Sequence, residues 1–375
     1  MLYLFSILEE IMEQDEKYIK SALDLAEKAA GHTSPNPLVG CVIVKNNKII
    51  ATGYHKKAGM PHAEAEALKK AGEKARGATL YVNLEPCCHF NKKTPPCVNA
   101  IIKAKVKKVV VSMKDPNPKV NGKGLSILKK AGVQIKAGVL KQEAEELNRV
   151  FIKNMTRRLP YVIIKAGLSL DGKIALKNKK SKWITSKASR QHSQYLRKFC
   201  DAILVGINTI LVDNPHLDCR IDKEKRLKKI VLDTTGRIPI NANIFKYARP
   251  EDIYIFNYKM NKKKQEILKK RGVIIIKSPL ENGKIKEIFV MKKLFESGIM
   301  SILIEGGSKI TTSFLCKKIV DEAWLYIAPK IIGADGLHYF GELGFKNISQ
   351  IFSLKNILME KINEDVLLKG KVVYK

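Results

Sequence analysis

No run of apolar residues in this chain reaches the ~18 positions that a membrane-crossing helix needs, which argues against a helical membrane protein. No G-x-G-x-x-G follows a strand-like segment, so a Rossmann dinucleotide site is not indicated. Internal repeats and long low-complexity segments are also absent. Acidic residues are scarce: 36 Asp and Glu stand against 69 Lys and Arg, a formal net charge of +33. Such an excess can mark a nucleic-acid surface. Yet no arginine-rich or aromatic-interleaved stretch stands out, and the lysines are spread throughout, as in KNKKSK (177–182) and NKKKQEILKKRG (261–272). The excess is therefore read as lysine-biased solvated faces. The seven cysteines are an odd number in a long chain, and three lie close together at Cys87, Cys88 and Cys97. A disulfide scaffold would be short and evenly paired. A reducing, cytoplasmic compartment is expected, where clustered thiols more often bind metal.

The opening residues MLYLFSILEEI are apolar but short, lack a basic start and carry Glu9 and Glu10, which makes a poor secretory signal. Met12 opens a more typical beginning, so residues 1–11 are read as a mis-annotated start or a loose extension. At roughly 100–200 residues per domain, 375 residues suggest two domains, and an apolar content of 45% lets each bury a core. The expected division is 12–155 and 161–375, with the basic, proline-terminated TRRLP (156–160) as linker.

In the first half, an amphipathic helix is expected over 17–30. Strands are expected at 38–45, near 48–54, and at 78–84, 107–113 and 133–139. Helices are expected at 62–72, from Val98 onward, at GLSILKKAG and at 141–154. After the linker the pattern restarts with a strand at 161–167. Strands at 201–206, 228–233, 251–256, 272–277, 300–307 and 322–333 follow, with helices at 187–199 and 286–297. Alternating strands and helices argue two layered α/β domains.

The chemistry of the first half gathers around His62-Ala63-Glu64 at a helix start, Pro86-Cys87 after a strand, and Cys97 at the next helix start. A catalytic zinc takes three nitrogen or sulfur ligands and keeps one position open for water. One His and two Cys meet that need. Zinc lowers the pKa of bound water from 15.7 to about 7. Glu64, two residues from His62, suits a proton shuttle better than a fourth ligand. This His-x-Glu and Pro-Cys arrangement is that of the zinc nucleobase deaminases. A lone His at a helix start would be a cap, and a lone Cys a core residue; both half-motifs together favour the metal.

The cysteine loop is longer than the usual deaminase form. It resembles that of the bifunctional riboflavin-pathway deaminase–reductase family, whose loop reads much like Pro-Cys-Ser-His through Thr-Pro-Pro-Cys. SPNPLVGCVIV (34–44) and GYHKKAGMPHAEAEAL (53–68) fit the same family. The resemblance implies a cytidine-deaminase-like three-layer α/β/α domain. It implies His62, Cys87 and Cys97 as zinc ligands, Glu64 as shuttle, and Asn36, His55, His89 and Lys93 as substrate contacts. The loop is one residue longer than the family's between His89 and Thr94. That leaves Lys92 as an alternative to Lys93, and Cys88 as a rival to Cys87.

In the second half, Glu305-Gly306-Gly307 after a strand is a phosphate candidate, because glycines allow close backbone approach and the following helix offers free N–H groups. Alone, Gly-Gly after a strand is usually a turn. IIKAGLSLDGKIA (163–175), SKWITS (181–186), ILVGINTILVDNPHLDCR (203–220), LIEGGS (303–308) and YIAPKIIG (326–333) resemble the family's reductase domain. The resemblance implies a dihydrofolate-reductase-like α/β fold and NADPH as cofactor. Gly167, Trp183, Thr185, Thr209, Asp213, Gly306 and Gly307 are its implied cofactor contacts. Lys165, Ser181, Arg197, Leu217, Arg220 and Glu305 are its implied substrate contacts, with Arg197 and Arg220 clamping a phosphate by forked bonds. Taken singly, Trp183 could be core and Arg197 a solvated face residue.

The expectation is a two-domain enzyme. The first domain deaminates 2,5-diamino-6-(5-phosphoribosylamino)pyrimidin-4-one. The second reduces the ribosyl group with NADPH to give 5-amino-6-(5-phosphoribitylamino)uracil. Its partners are a small phosphorylated pyrimidine and further copies of itself as a homo-oligomer, with neither nucleic acid nor membrane. Two rivals stand: a nucleic-acid deaminase whose basic second half binds RNA, marked by salt-dependent binding, and a non-catalytic scaffold stabilised by zinc, which would call for a fourth protein ligand.

Overall fold

The computed structural model describes residues 13–89, 95–178, 183–246 and 248–375. Lys93, Ser181 and the opening residues 1–11 lie outside them. The chain divides into two units, Met1–Arg158 and Leu159–Lys375.

The first unit follows the alternation read from the sequence. Its elements are α1 (Gln14–Glu27), β1 (Gly40–Lys45), β2 (Lys48–Tyr54), α2 (Ala63–Ala71), β3 (Thr79–Leu84), α3 (Cys97–Lys103), β4 (Lys108–Met113), α4 (Lys123–Lys130), β5 (Gln134–Ala137), α5 (Lys141–Leu147) and α6 (Arg149–Arg157). The sheet runs β2-β1-β3-β4-β5. The β1 pairings with β2 and β3 are antiparallel, and the β3–β4–β5 run is parallel. Helices α1 and α5 pack on one face and α2, followed by α3 and α4, on the other. A sheet covered on both faces needs continuous apolar strands rather than alternating ones. Cys41, Val42, Ile43, Leu80, Val82, Val109, Val110 and Val111 are accordingly buried.

The helix expected over 141–154 is two helices, and the second runs on to Arg157, into the expected linker. The break is at Asn148, which is buried. Its side chain accepts from the Leu38 N–H at 2.8 Å and donates to the Leu38 carbonyl at 3.0 Å. Tertiary hydrogen bonding of that one amide interrupts an otherwise continuous amphipathic pattern.

The second unit holds β6 (Tyr161–Ser169), β7 (Lys173–Leu176), α7 (Lys187–His192), α8 (Gln194–Phe199), β8 (Ala202–Gly206), α9 (Ile207–Asp213), β9 (Lys228–Leu232), β10 (Ile253–Asn257), α10 (Lys262–Lys270), β11 (Ile274–Lys277), β12 (Leu280–Glu281), β13 (Lys284–Ile285), α11 (Glu287–Glu296), β14 (Ser301–Ile304), α12 (Ser308–Cys316), β15 (Glu322–Ala328), β16 (Gly336–His338), β17 (Ser353–Ile362) and β18 (Asp365–Val373). Its large sheet runs β11-β10-β9-β8-β14-β6-β15-β18-β17. It is parallel from β11 to β15, and β18 and β17 add an antiparallel edge. One core lies around Ile164, Ile230, Phe256 and Phe314, and a second around Val205, Leu217, Val231 and Ile255. Ile230 and Val231 are neighbours in β9 and belong to different cores, as the two-residue strand period requires.

The single helix expected at 187–199 is interrupted at Ser193. The β17–β18 hairpin carries no pattern that would announce it: β17 is exposed along most of its length and mixes Lys, Asn and Glu with Leu, Ile and Met.

Candidate active sites

Three elements meet in the first unit. His62 caps α2, Cys87 follows β3, and Cys97 begins α3. The Cys97 Sγ lies 3.2 Å and the Cys87 Sγ 3.5 Å from His62 Nδ1. One donor atom from each of the three falls within 4.8 Å of the others, as binding to one metal ion requires. One imidazole and two thiols are a zinc donor set, and the residues fit that ion. The Cys97 amide donates to the Cys87 sulfur at 3.4 Å, which fixes the direction of that side chain. Cys88 points elsewhere, its Sγ 4.0 Å from the Lys119 carbonyl.

Two close approaches set this geometry. A Cβ on Gly53 would stand 2.3 Å from the Ala63 carbonyl, so only glycine lets the first turn of α2 press onto β2. A Cβ on Gly124 would stand 2.2 Å from the Pro86 carbonyl, so α4 closes directly on the turn that carries Cys87. That turn is fixed from the other side by Glu85. Its buried carboxylate accepts from the amides of Asp115 at 3.1 Å, Gly122 at 2.8 Å, Gly124 at 2.9 Å and Leu125 at 3.3 Å. Sequence reasoning missed this role. A glutamate between an apolar strand and Pro-Cys was the available sign of it.

Glu64, in the first turn of α2, is only 3% exposed. Burial first, and then the neighbouring Cys87, push its carboxyl above the ordinary range, with His62 opposing. Contact with Cys87, then burial, push the Cys97 thiol well up; a bound dication reverses that local field. Asn36 and His55 are brought together: Asn36 Nδ2 lies 3.0 Å from His55 Nε2, and His55 Nδ1 lies 3.1 Å from the Pro61 carbonyl. The Pro61 carbonyl can only accept, so Nδ1 of His55 carries a proton and donates to it. His55 packs edge-on to His62, with 5.5 Å between ring centroids. His89 is half-buried two residues beyond Cys87.

The second unit gathers charge where Lys165 of β6, Arg197 of α8 and Glu305, just past β14, come together. Arg197 on α8 donates from Nε and NH2 to the two carboxylate oxygens of Glu305, at 3.0 and 2.9 Å, and from NH1 to the Asp218 carbonyl at 2.7 Å. Lys165 Nζ lies 4.0 Å from the same carboxylate and 5.9 Å from the centre of the Tyr326 ring. Burial raises the Glu305 pKa, but Arg197, Lys165 and Arg220 outweigh it and hold it at about 2. Arg220 itself is exposed, in the loop after α9. Arg197 is thus neither a solvated face residue nor half of an open fork, since its fork is engaged by Glu305. Of the two arginines expected to clamp a phosphate, Arg220 is the exposed one.

Leu217 departs from expectation more sharply. Its side chain is 3% exposed and packs in the second core, so it offers no side-chain surface to a ligand. Trp183 is 63% exposed, which excludes a core role, and the Arg190 guanidinium lies 4.2 Å from the centre of its ring. Gly167 packs against Thr185, where a Cβ would come within 3.0 Å of the threonine methyl. Gly306 backs onto Ile310, and Gly307, the cap of α12, faces open space. Thr209 sits in the first turn of α9 and Asp213 at its end.

The model of the cytidine and deoxycytidylate deaminase zinc-binding region matches residues 12–113. That of the RibD C-terminal domain matches residues 160–368, more than half the chain. The chain is 44% identical over 359 residues to the riboflavin biosynthesis protein RibD of Aquifex aeolicus, covering 96% of this chain and 98% of that one. The chain belongs to the RibD family. It is also 40% identical over 336 residues to RibD of Escherichia coli, covering 86% and 89% of the two chains. Among solved structures, Acinetobacter baumannii RibD superposes with a TM-score of 0.86 at 38% identity, over 96% of this chain and 99% of that one. The Thermotoga maritima diaminohydroxyphosphoribosylaminopyrimidine deaminase/5-amino-6-(5-phosphoribosylamino)uracil reductase gives 0.83 at 35%, with the same coverage. RibD membership makes the first unit cytidine-deaminase-like and the second dihydrofolate-reductase-like, as the motifs implied. No helix among the described residues is long and apolar enough to cross a membrane.

Proposed function

We infer that the two charge-bearing clusters are the two active centres of a bifunctional enzyme. The chain is a zinc- and NADPH-dependent deaminase–reductase of riboflavin biosynthesis. Its deaminase takes 2,5-diamino-6-(5-phosphoribosylamino)pyrimidin-4-one, and its reductase turns the ribosyl group of the deaminated product into ribityl, giving 5-amino-6-(5-phosphoribitylamino)uracil. The observation that carries the first assignment is the convergence of His62, Cys87 and Cys97 from three separate elements, with Glu64 buried beside them.

In the deaminase, His62, Cys87 and Cys97 hold zinc, which supplies a Lewis acid that activates water near neutral pH. Glu64, buried two residues from His62, is placed to take protons from that water and to pass them to the ring nitrogen and to the departing ammonia. Asn36 and His55 orient the pyrimidine, with His89 and Lys93 contributing from the cysteine loop. In the reductase, NADPH supplies hydride. Gly167, Trp183, Thr185, Thr209, Asp213, Gly306 and Gly307 line its site. Lys165, Ser181, Arg220 and the Arg197–Glu305 pair would serve the substrate, with Arg220 taking the phosphate.

The working form is a cytoplasmic homo-oligomer that binds no nucleic acid. Exposed Ile357, Leu358, Met359 and Val366 on the β17–β18 edge give a second copy an apolar surface. Incubation of the pure protein with the diamino substrate and NADPH, followed by product identification by mass, tests the assignment. A metal chelator is expected to abolish ammonia release while leaving NADPH oxidation on the deaminated substrate intact. Equal loss of both activities would count against two independent centres. Tight, steeply salt-dependent RNA binding would favour a nucleic-acid deaminase instead.

A further inference from the structure

Lys229 belongs to β9 and is 3% exposed, an unusual place for an ammonium group. Its Nζ donates to the backbone carbonyl of His216 at 2.5 Å. That carbonyl stands immediately before Leu217, which has a φ of +56°. A bulky side chain in the left-handed region is strained and persists only where its surroundings over-determine it. The surroundings here are two cations. Lys229 takes the carbonyl before Leu217 and Arg197 takes the carbonyl after it, that of Asp218. The Leu217 side chain is at the same time sunk in the second core.

The rest of the loop is tied at both ends. Asn243 donates twice to Asn214, from its backbone N–H to Oδ1 at 2.8 Å and from Nδ2 to the carbonyl at 2.9 Å. The Arg220 amide donates to Gln194 Oε1 at 3.2 Å. Arg220 is close enough to Glu305 to lower its pKa. Loop 214–220 therefore joins a buried lysine to the charge cluster of the reductase.

We propose that Lys229 is a positioning residue of the reductase, which holds loop 214–220 in the single conformation that presents Arg220 to the substrate phosphate. The proposal rests on the reductase reading above. Lys229 touches neither substrate nor cofactor in this account; it acts through the His216 carbonyl.

The charge of Lys229 is adjustable. Burial lowers its pKa; Asp218 opposes that, Arg197 reinforces it and Asp252 opposes it, leaving the group at about 8. Asp252 itself is engaged by Arg226 at 2.9 Å and Lys228 at 3.4 Å. Above that pH the amine still donates, but the bond is no longer charge-assisted and weakens.

The test uses the full-length enzyme, the deaminated substrate and NADPH, with KM for each and kcat measured on both sides of pH 8. In the unaltered enzyme, KM for the phosphorylated substrate should climb several-fold above that pH while KM for NADPH stays level. Lys229→Arg, charged throughout, should remove the climb. Lys229→Met should raise substrate KM roughly tenfold at neutral pH, the scale of one hydrogen bond to a charged group, and erase the pH response. An unaltered KM for NADPH and an unaltered thermal unfolding of the reductase unit report that each variant is folded. A Lys229→Met enzyme with unaltered substrate KM and pH profile overturns the proposal. So does a variant that loses kcat and both KM values together without rescue by arginine. If the unaltered enzyme oxidises no NADPH with this substrate, the reductase reading fails and the proposal falls with it.

Discussion

Arg197 meets Glu305 fork to fork, Nε on one carboxylate oxygen and NH2 on the other, with both side chains largely out of water. A buried pair of this kind is costly to break from one side, because the remaining charge has no solvent to turn to. Glu305 is held at about 2, below its ordinary 4.5. The paired carboxylate therefore stabilises the fold above about pH 4.5, and that stabilisation is lost as pH falls toward 2. Its size is on the order of 3 kcal/mol. Glu305→Gln should flatten the acid limb of the stability curve, read by chemical denaturation of the reductase unit at several pH values. An unchanged limb would mean that the pair is not the source.

The same geometry separates two arginines. Arg220→Ala should weaken substrate use in the reduction by ~1.5–3 kcal/mol with little change in stability, the scale of a hydrogen bond to a charged group. Arg197→Ala should instead destabilise the reductase unit by about 3 kcal/mol or more, since it strands Glu305. Steady-state kinetics and thermal unfolding of the two variants side by side distinguish these outcomes. Equal unfolding temperatures would contradict the assignment.

Cys87 and Cys88 differ by one position and point to different neighbours. Cys87→Ser is expected to lose most of its zinc and its deaminase activity. Cys88→Ser should keep both. Glu64→Gln should retain zinc while ammonia release collapses. Metal content by mass spectrometry and an ammonia assay on the three proteins give the answer; zinc lost from Cys88→Ser and kept by Cys87→Ser would reverse the ligand choice.

Gly124 has no room for even one methyl group against the Pro86 carbonyl. Gly124→Ala should push α4 off the turn that carries Cys87, destabilise the deaminase unit by ~1–3 kcal/mol, and reduce zinc occupancy. The reductase, measured on deaminated substrate, should be spared. A Gly124→Ala protein with full zinc content and unaltered unfolding would show that the helix can move away at no cost.

The sequence was most legible where strand and helix periods were strong and where motif and element coincided. His62 and Glu64 at the start of α2 and Cys97 at the start of α3 are of that kind. What stayed hidden depends on partners distant in the chain. Asn148 splits a helix because its amide is claimed by Leu38, 110 residues away. The Arg197 fork looked available until Glu305, 108 residues on, filled it. Leu217 reads as a contact by its motif, yet its side chain packs in the core, in a loop whose His216 and Asp218 carbonyls are held by Lys229 and Arg197. The β17–β18 hairpin escaped notice because its outer strand buries too little to impose alternation.

The four amides gathered by Glu85 come from residues 30 to 40 positions further along the chain. His62 likewise stands 25 and 35 positions from the two sulfurs it meets. In a zinc finger the metal organises a short peptide around itself. Here the three donors stand on α2, α3 and the turn after β3, which the packing of the domain brings together, so the expected order is the reverse: folding first and metal capture afterwards. Uptake of zinc by refolding protein should then follow formation of the core, and its rate should be limited by folding rather than by zinc concentration.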